Sequence, residues 1–375
     1  MKPAAGPGGA RRTGQDDKKR VDKIMQVQRK GGAPNRRKSR KKLAVNITVL
    51  LLSLVMLVAG ITLIYGEVLL QRVQYVDDGA SRNQLFASTA ADSGTDGASG
   101  VSMPSGSGVK LVNGLYHDDM VVNVLIMGVD DYQPNDPGRT DSMMLVSIDT
   151  RNQELKVTSL MRDLYVAIPG KTQSNRLNTA YSSGGAPLLV RTVEANFGID
   201  VDRWVVIDFD AFNQIIDAMG GVEITLTQAE AQLVNENSGD PRRNLSEGTY
   251  VLSGAQARYY SRIRAIGDDF ERTERQRNVF SSIINKFKDS DIGTINNVLY
   301  NTLNLVHTNM DKNEILSLAA NSLTYMNYEL LQNRIPADGE YTPARVQIGG
   351  SAAAVLVPDL DACSKNIRDF IYGDN

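Results

Sequence analysis

The sequence predicts an α/β fold, an α-β-α sandwich with a central mixed sheet, preceded by one transmembrane helix. Residues 43–65 are almost continuously apolar, and the chain from residue 111 onward alternates Val- and Ile-rich runs with amphipathic helical segments. Strand patterns that alternate with helical patterns indicate an α/β architecture. The part that shows this alternation, about 260 residues, is long enough to bury one sizeable core.

Residues 1–42 are strongly basic. They carry 15 Lys and Arg and 3 Asp and Glu, a net charge of +12, whereas the rest of the chain carries 26 and 40, a net charge of −14. A segment with so few apolar side chains cannot bury a core, so a disordered cytoplasmic tail is predicted. Basic tails can bind nucleic acid. The acidic remainder of the chain would repel a phosphate backbone, so no nucleic acid is expected as a partner of the main domain.

Residues 43–65 predict a transmembrane helix, because about 20 apolar residues are needed to cross the hydrocarbon core. The run is longer than the apolar region of a cleavable signal peptide. Six Lys and Arg lie directly before it, at positions 36–42. By the positive-inside rule, the N-terminus is then cytoplasmic and the rest of the chain extracytoplasmic. A single-pass protein of the cell membrane is therefore expected.

Residues 66–110 predict a flexible extracytoplasmic linker, because Ser, Gly, Ala and Asp dominate most of this stretch. The globular domain is expected to occupy residues 111–375. Its single cysteine, Cys363, cannot form an intramolecular disulfide and is expected to be a small core residue.

Strand and helix patterns alternate along the domain. After three strands within residues 124–163, the helical run PLLVRTVEANFG ends at Gly198, a residue type that commonly ends helices. The strand RWVVIDFD, the helix AFNQIIDAMG and the strand VEITL follow. Near the C-terminus, the runs RVQIGG and AAVLV predict strands, and residues 360–372 predict a closing helix. No chemistry is assigned to that last part.

The first three predicted strands carry charged side chains at their ends. The run VLIMGVDD contains Asp130 near its end, and the run SMMLVSID follows Asp141. The third run, ELKVTSLMRD, ends in Arg162 and Asp163. The carboxyl ends of strands in an open α/β sheet form the crevice where ligands bind. Asp at a strand end is also an ordinary turn former, so position alone leaves a structural role open for each residue.

A pair of arginines follows a short predicted helix. Ser253 and Gln256 have the spacing of a capping box, which predicts a helix that ends near Tyr260. Arg262 and Arg264 come next. Helical residues two positions apart point about 200° away from each other, so these arginines can share a ligand only if the chain is extended there.

A longer helix is predicted from Asp268 or Asp269 onward. Its apolar stripe continues back, in steps of four from Phe280, to Gln276 and Arg272, which are therefore expected to face a pocket.

Two other arginines of this helix, Arg275 and Arg277, are expected on a solvated face. The spacing pairs Arg275 with Glu271 one turn earlier.

Composition excludes several common sites. With two histidines and one cysteine in the chain, neither a zinc site nor a histidine-based hydrolase triad is expected. The tetrapeptide that starts at Pro169 looks like the end of a P-loop, but Tyr165 occupies the position where the motif needs glycine. The chemistry is expected to rest on acidic residues and arginines. Arginines bind phosphate oxygens bidentately and paired aspartates hold Mg²⁺ beside phosphates, so a diphosphate is the expected ligand.

The motif order of residues 121–280 resembles the catalytic domain of the LytR-CpsA-Psr family of cell-wall glycopolymer phosphotransferases. The resemblance is carried by GVDD, R-T-D, S-L-M-R-D, R-L-N-T-A-Y, a Gly-Gly pair, R-x-R and R-x-x-x-Q. The chain departs from the family pattern at three positions: Met161 replaces a usual Pro, Arg176 a usual Lys and Glu271 a usual Gly.

The resemblance implies a Mg²⁺-dependent enzyme, with Mn²⁺ as the alternative ion. Such an enzyme moves a glycopolymer, for example teichoic acid or capsule, from a polyprenyl diphosphate carrier to peptidoglycan. It implies Asp130 and Asp141 as metal ligands and Arg162 as a catalytic arginine. A wall sugar hydroxyl would attack the phosphorus, and Asp141 or Asp163 would accept its proton.

Five side chains are expected to bind the diphosphate: Arg139, Arg262, Arg264, Arg272 and Gln276. The segments INNVLYNTLNLV and EILSLAANSLTYM are candidates for the walls of a lipid groove, with plain core packing as the alternative. Two rival functions are a lipid-diphosphate hydrolase that uses water as acceptor and a non-catalytic anchor that binds wall polymer without a metal.

Overall fold

A computed structural model describes residues 71–76, 108–130, 138–242 and 244–373. All of these residues lie within the unit Gly66–Asn375. The predicted basic tail and the predicted transmembrane helix lie outside the described residues. Within the described ranges, no helix combines the length and the apolar character needed to span a bilayer.

The strands are numbered here in chain order. They are β1 (Gln74–Tyr75), β2 (Val109–Val112), β3 (Leu115–Asp118), β4 (Val121–Val129), β5 (Thr140–Asp149), β6 (Glu154–Leu160), β7 (Tyr165–Val166), β8 (Asn175–Arg176), β9 (Arg203–Ile207), β10 (Val222–Leu226), β11 (Gly248–Leu252), β12 (Val306–Thr308), β13 (Glu329–Ile335), β14 (Tyr341–Ile348) and β15 (Ser351–Pro358).

The helices follow the same convention. They are α1 (Asn178–Phe197), α2 (Phe209–Ala218), α3 (Gln228–Asn237), α4 (Gly254–Tyr260), α5 (Asp269–Lys288), α6 (Ile292–Thr302), α7 (Lys312–Tyr325) and α8 (Leu360–Tyr372), with a 3-10 helix at Leu303–Leu305.

Seven of the described strands form one sheet in the order β1-β12-β9-β4-β5-β6-β13. The pairs β1 with β12, β4 with β9 and β6 with β13 are parallel, and the other three pairs are antiparallel. The predicted α/β fold with a central mixed sheet is confirmed. Because β5 runs opposite to β4 and β6, the end of β4, the start of β5 and the end of β6 lie at one edge of the sheet.

Helices pack against both faces of this sheet. On one face, Leu125 and Leu145 share a core with residues of α1 and α8. On the other face, Val146 packs with Phe280 of α5 and Leu318 of α7. The central strands are therefore buried on both faces, which explains why they are nearly continuous apolar runs in the sequence.

A second core lies beside the sheet. It joins α2, α3, α4 and α5 to the ribbon formed by β10 and β11, and includes Ile216, Ile224, Val234 and Val279. The segment VEITL forms a strand as predicted, but this strand pairs only with β11 among the described residues. It therefore belongs to a separate two-stranded ribbon and does not extend the central sheet.

The predicted linker contains one strand of the sheet. Gln74 and Tyr75 form β1 and pair in parallel with β12. Just before them, the guanidinium carbon of Arg72 lies 3.8 Å from the centre of the Tyr300 ring. The linker prediction for residues 66–110 thus does not hold for residues 74–75, nor for residues 109–110, which pair with β3, because composition does not report backbone pairing.

Two local predictions near the helix ends are confirmed. The backbone of Gly198 after α1 is left-handed (φ 71°), as expected for a helix-ending glycine. The side chains of Ser253 and Gln256 form the predicted capping box of α4.

Cys363 is completely buried, and burial raises the pKa of its thiol to about 12, which fits the predicted core residue.

The solvated face predicted for Arg275 is wrong. This side chain is 7% exposed, and its Nε donates to Oε1 of Glu230 at 2.7 Å. Its Nη1 also donates to the backbone carbonyl of Ile263 at 3.3 Å. Arg277 is half-buried, and its Nε donates to Gln332 at 3.2 Å. The sequence could not show this, because Glu230 lies 45 residues away.

Arg275→Ala is expected to lower the free energy of unfolding by about 3–5 kcal/mol, since it leaves the Glu230 carboxylate buried without its charged partner. Urea denaturation followed by circular dichroism measures this. Glu274→Ala, an exposed change on the same helix, should alter stability by less than about 0.5 kcal/mol.

Arg275→Met combined with Glu230→Gln should recover most of the lost stability, because no unpaired charge remains and a glutamine can keep the capping box with Thr227 at the start of α3. An Arg275→Ala variant as stable as the unmodified protein would show that the pair does not hold α5 in place.

Candidate active site

The strand ends bring four predicted residues to one edge of the sheet. Asp130 directly follows β4, and Arg162 and Asp163 follow β6. At the start of β5, Gly128 pairs with Ser142 but Val129 pairs with Thr140. Asp141 is therefore the extra residue of a β-bulge. Bulges re-aim side chains and are frequent beside active sites.

Arg162 lies at the centre of this edge. Its Nη1 donates to Oδ1 of Asp141 at 2.6 Å. Its Nε and Nη2 donate to the two carboxylate oxygens of Asp269 at 3.2 and 3.3 Å, and Nε lies 3.6 Å from Oδ2 of Asp163. Burial opposes the charged guanidinium, but Asp269 and Asp141 outweigh it and raise the pKa of Arg162. This arginine stays charged.

Asp269 was not predicted as a site residue. It is the first residue of α5, directly after the N-cap Asp268, where the helix dipole favours a carboxylate. Besides binding Arg162, its Oδ2 accepts a hydrogen bond from Nη2 of Arg272 at 2.6 Å. One carboxylate thus orients two guanidiniums. The available sequence signal was its position three residues before Arg272 on one helix face.

Arg272 is 2% exposed, yet much of its bonding capacity is unused. Its Nε and Nη1 have no hydrogen-bond partner among the described residues. Burial lowers its pKa and Asp269 raises it, while the nearby Arg162 and Arg264 lower it further, so the net pKa is lowered. Buried, unpaired guanidinium donors in a cluster of positive charge favour an anionic ligand.

Glu271, which stands where the family pattern usually has Gly, does not disturb its neighbour Arg272. Glu271 is exposed, and its Oε2 accepts the backbone N–H of Asp268 at 2.9 Å in a capping box. Its carboxylate therefore serves the start of α5.

Contrary to the prediction, the chain is not extended at Arg262: it leaves α4 through turns in which the backbone N–H groups of Arg262 and Ile263 donate to the carbonyls of Tyr259 and Tyr260. Arg262 and Arg264 are exposed, while Ile263 between them is buried, so the two arginines point to one side. Nη2 of Arg264 lies 3.3 Å from Oδ2 of Asp141. The guanidinium carbon of Arg262 lies 4.2 Å from the centre of the Phe209 ring, a cation–π contact that the sequence did not indicate.

The other two predicted diphosphate-binding side chains differ. Gln276 is 9% exposed, and its Nε2 lies 3.5 Å from the backbone carbonyl oxygen of Asp141. Arg139 is exposed, and its backbone N–H donates to Oδ1 of Asp130 at 2.8 Å. The Arg139 guanidinium makes no ion pair with any described residue. The structure therefore groups Gln276 with the arginines, whereas no ion pair joins the Arg139 side chain to the described residues of the cluster.

The two candidate proton acceptors have opposite pKa shifts. For Asp141, burial raises the pKa, but Arg162, Arg272 and Arg264 outweigh burial and lower it. For Asp163, burial raises the pKa and Asp269 raises it further, and neither Arg162 nor Arg176, at 3.3 Å, reverses this. A carboxylate with a raised pKa is the stronger base.

An apolar cavity of about 200 Å³ opens beside the arginines. Its polar part includes Asp141, Arg262 and Gln276. Its apolar part comes from the sheet, α2 and α5: Ile126, Met144, Ile207, Phe209, Phe212, Ile215, Val279, Phe280 and Ile283. The described lining includes no residue of α6 or α7, which were the candidate groove walls. Leu318 and Tyr325 of α7 pack in the core instead.

Arginine donors beside an apolar cavity are the features of a site for an amphipathic anion. The sequence profile of the LytR_cpsA_psr family matches residues 85–357. The chain therefore belongs to the LytR-CpsA-Psr family.

Named relatives and solved structures agree with this assignment. The polyisoprenyl-teichoic acid–peptidoglycan teichoic acid transferase TagU of Oceanobacillus iheyensis is 30% identical over 296 residues, which cover 75% of this chain and 83% of that protein. The corresponding transferase TagV of Bacillus subtilis is 32% identical over 204 residues, 52% of this chain and 51% of that protein. The crystal structure of B. subtilis TagT superposes with a TM-score of 0.53 at 25% identity, covering 68% of this chain and 91% of that one.

Asp269→Ala is expected to weaken binding of inorganic diphosphate by roughly ten- to a hundredfold, because the charge-assisted hydrogen bonds that orient two guanidiniums are lost. Isothermal titration calorimetry measures the affinity. Asp289→Ala, at the other end of α5, is the matched control and should bind as the unmodified protein does. Tighter binding by Asp269→Ala would show that this carboxylate competes with the anion.

Proposed function

We propose that the protein is a membrane-anchored transferase that moves a glycopolymer from a polyprenyl diphosphate carrier to peptidoglycan by metal-assisted phosphotransfer. One observation carries the proposal: Asp269 orients Arg162 and Arg272 at the edge of the sheet next to an apolar cavity. A polyprenyl diphosphate has the matching chemistry, a doubly charged head on an apolar tail.

The relatives support the substrate class. Proteins about 30% identical to this chain are named as transferases that act between polyisoprenyl-teichoic acid and peptidoglycan. A teichoic acid is therefore the first glycopolymer to test, with capsule and similar polymers next. The membrane anchor of the proposal is residues 43–65, where the apolar run follows six basic residues.

Asp130 and Asp141 fit a Mg²⁺ ion, with Mn²⁺ as the alternative. Both offer carboxylate oxygens, the ligands that Mg²⁺ prefers. They are the neighbours of Val129 and Thr140, which pair across β4 and β5. A carboxylate has about four lone-pair sites, so the contacts to Arg162 and Arg264 do not exhaust Asp141. When bound, the ion neutralises charge on the diphosphate.

In the proposed reaction, a wall sugar hydroxyl attacks the phosphorus that carries the glycan. The new bond joins that oxygen to phosphorus, the bridging P–O bond of the diphosphate breaks, and polyprenyl monophosphate leaves with the bond's electron pair. Asp163 accepts the hydroxyl proton. Arg162 and Arg272 neutralise the charge on the transferring and leaving groups, because phosphoryl transfer depends mainly on positioning and charge stabilisation.

Incubation of the full-length protein in detergent with a polyprenyl diphosphate-linked teichoic acid and wall fragments tests the function. The expected products are a phosphodiester-linked glycan on peptidoglycan and polyprenyl monophosphate. Chelator should stop turnover and Mg²⁺ should restore it. Asp130→Ala and Asp141→Ala should each reduce Mg²⁺-dependent turnover, whereas Asp361→Ala, at an exposed position, should not.

Other outcomes identify the rivals. Release of soluble glycan phosphate, with or without wall fragments, would make the protein a lipid-diphosphate hydrolase. Binding of wall polymer without turnover, unaffected by loss of both aspartates, would make it a non-catalytic anchor. Turnover in the presence of chelator would refute the metal-assisted step.

Asp163→Asn separates catalysis from folding. As the proton acceptor must be ionised, the kcat/KM of the unmodified enzyme should fall as the pH drops through the pKa of Asp163, which lies above the ordinary 3.8. The variant should lose about 10²- to 10⁴-fold in rate and show no such acid limb. Rate measurements across pH check both expectations.

Asp163→Asn is expected to lower the rate but not the stability of the folded protein. A carboxyl whose pKa is raised by folding costs stability as the pH rises through that pKa. At neutral pH the variant should therefore be at least as stable as the unmodified protein in thermal unfolding. A variant that unfolds easily but keeps its rate would assign Asp163 a structural role.

A further inference from the structure

A histidine and two aspartates meet at the edge of the sheet opposite the arginines. His117 lies on β3, and Asp200 and Asp202 precede β9. Nδ1 of His117 lies 2.9 Å from Oδ2 of Asp200 and 4.0 Å from Oδ1 of Asp202. One ligand atom from each residue lies within 4.8 Å of the others. This spacing is compatible with three ligands of one ion.

Neighbouring groups orient the side chains of His117 and Asp202. Nε2 of His117 lies 3.2 Å from Oδ1 of Asp119, and Oδ2 of Asp202 accepts the backbone N–H of Asn123 at 2.8 Å. A metal-binding histidine ordinarily donates its other ring N–H to a carboxylate or carbonyl. If Nε2 carries the proton toward Asp119, the Nδ1 lone pair faces two carboxylates. That arrangement is repulsive unless a cation lies between them or the ring takes a second proton.

Asn123 gives an independent indication. It is 1% exposed, and its Nδ2 donates to the backbone carbonyl of Asp200 at 2.9 Å and to the hydroxyl of Tyr372 at 3.1 Å. Its Oδ1, by contrast, has no hydrogen-bond partner within the described part of the chain. A buried acceptor is rarely left unpaired. Because the same amide contacts the backbone of Asp200, the unfilled acceptor is compatible with a cation or a water bound to one.

We propose that His117, Asp200 and Asp202 bind a divalent transition metal, with Zn²⁺ as the best fit. Zn²⁺ accepts imidazole nitrogen and carboxylate oxygen together, while Mg²⁺ and Ca²⁺ prefer oxygen ligands alone. The three side chains are each 20–23% exposed, so water can complete the coordination. Composition could not indicate this site, because His117 lies about 80 residues before the two aspartates in sequence and meets them only in the fold.

The bound ion would join the β2–β3 hairpin to the turn that starts β9, where Asn123 of β4 also lies. Its role would therefore be structural, because it would fix the hairpin to the start of β9. This inference does not depend on the proposed transferase activity, because the two sites lie at opposite edges of the sheet.

The test uses the full-length protein with a histidine-free affinity tag, stripped of metal by chelator. Titration calorimetry should show one Zn²⁺ bound per chain at neutral pH, and thermal unfolding should move to higher temperature with Zn²⁺, a shift that His117→Gln should remove. His117→Gln should weaken Zn²⁺ binding by on the order of a hundredfold or more, and Asp119→Asn by about tenfold, as for a partner outside the coordination shell. His307→Gln, at the chain's other histidine, is the matched control.

The double variant Asp200→Asn/Asp202→Asn keeps side-chain size and should also lose Zn²⁺, which covers the case in which His117→Gln folds poorly. Zn²⁺ binding that persists in both variants would overturn the proposal. So would the absence of stoichiometric Zn²⁺ binding by the unmodified protein.

Discussion

The ion pairs of Asp269 set the arrangement of the candidate active site, because two guanidiniums depend on this one carboxylate for their position. Arg162 and Arg264 lower the pKa of Arg272, because like charges repel across a small, partly buried space. Asp141 and Asp269 offset that repulsion. Neither carboxylate exhausts the donors of Arg272, so the cluster is preorganised for an anion without being fully satisfied by the protein.

The position of Asp269 depends in turn on how α5 is held. Asp268 and Glu271 form the capping box that starts this helix. One turn further on, the buried pair of Arg275 and Glu230 ties α5 to α3. The first turn of α5, which carries Asp269 and Arg272, is therefore held by the capping box before it and by the Arg275–Glu230 pair after it. Much of the charge on this helix serves the fold, whereas the polar side chains of Asp269, Arg272 and Gln276 belong to the candidate site.

The sheet supplies the other half of the site through its topology. Strand β5 is antiparallel to both β4 and β6. The end of β4, the start of β5 and the end of β6 therefore lie at one edge of the sheet. The bulge at Asp141 then separates this carboxylate from the ladder, where Arg162 and Arg264 reach it. Asp163 lies three positions beyond β6, and burial raises its pKa by more than its arginine partners lower it. Two aspartates at the same edge thus differ in basicity because their partners differ.

The sequence by itself determined the elements that depend on local physics. Apolar runs located β4, β5 and β6, glycine and capping-box spacing located the helix ends, and helical phase placed Gln276 and Arg272 on the inner face of α5. Motif order was enough to indicate the family. Each of these features depends on residues a few positions apart, where period, turn chemistry and propensity act.

Only the tertiary structure decided what depends on distant partners. It turned β10 into a separate ribbon, added β1 to the sheet and paired Arg275 with Glu230. It also made Asp269 the bridge between two arginines and brought His117 to Asp200. The partners in these ion pairs and hydrogen bonds lie 45 or more positions apart in sequence. No local pattern indicates that two such residues will meet, because the folded chain alone brings them together. Their chemistry can therefore be described only from the tertiary structure.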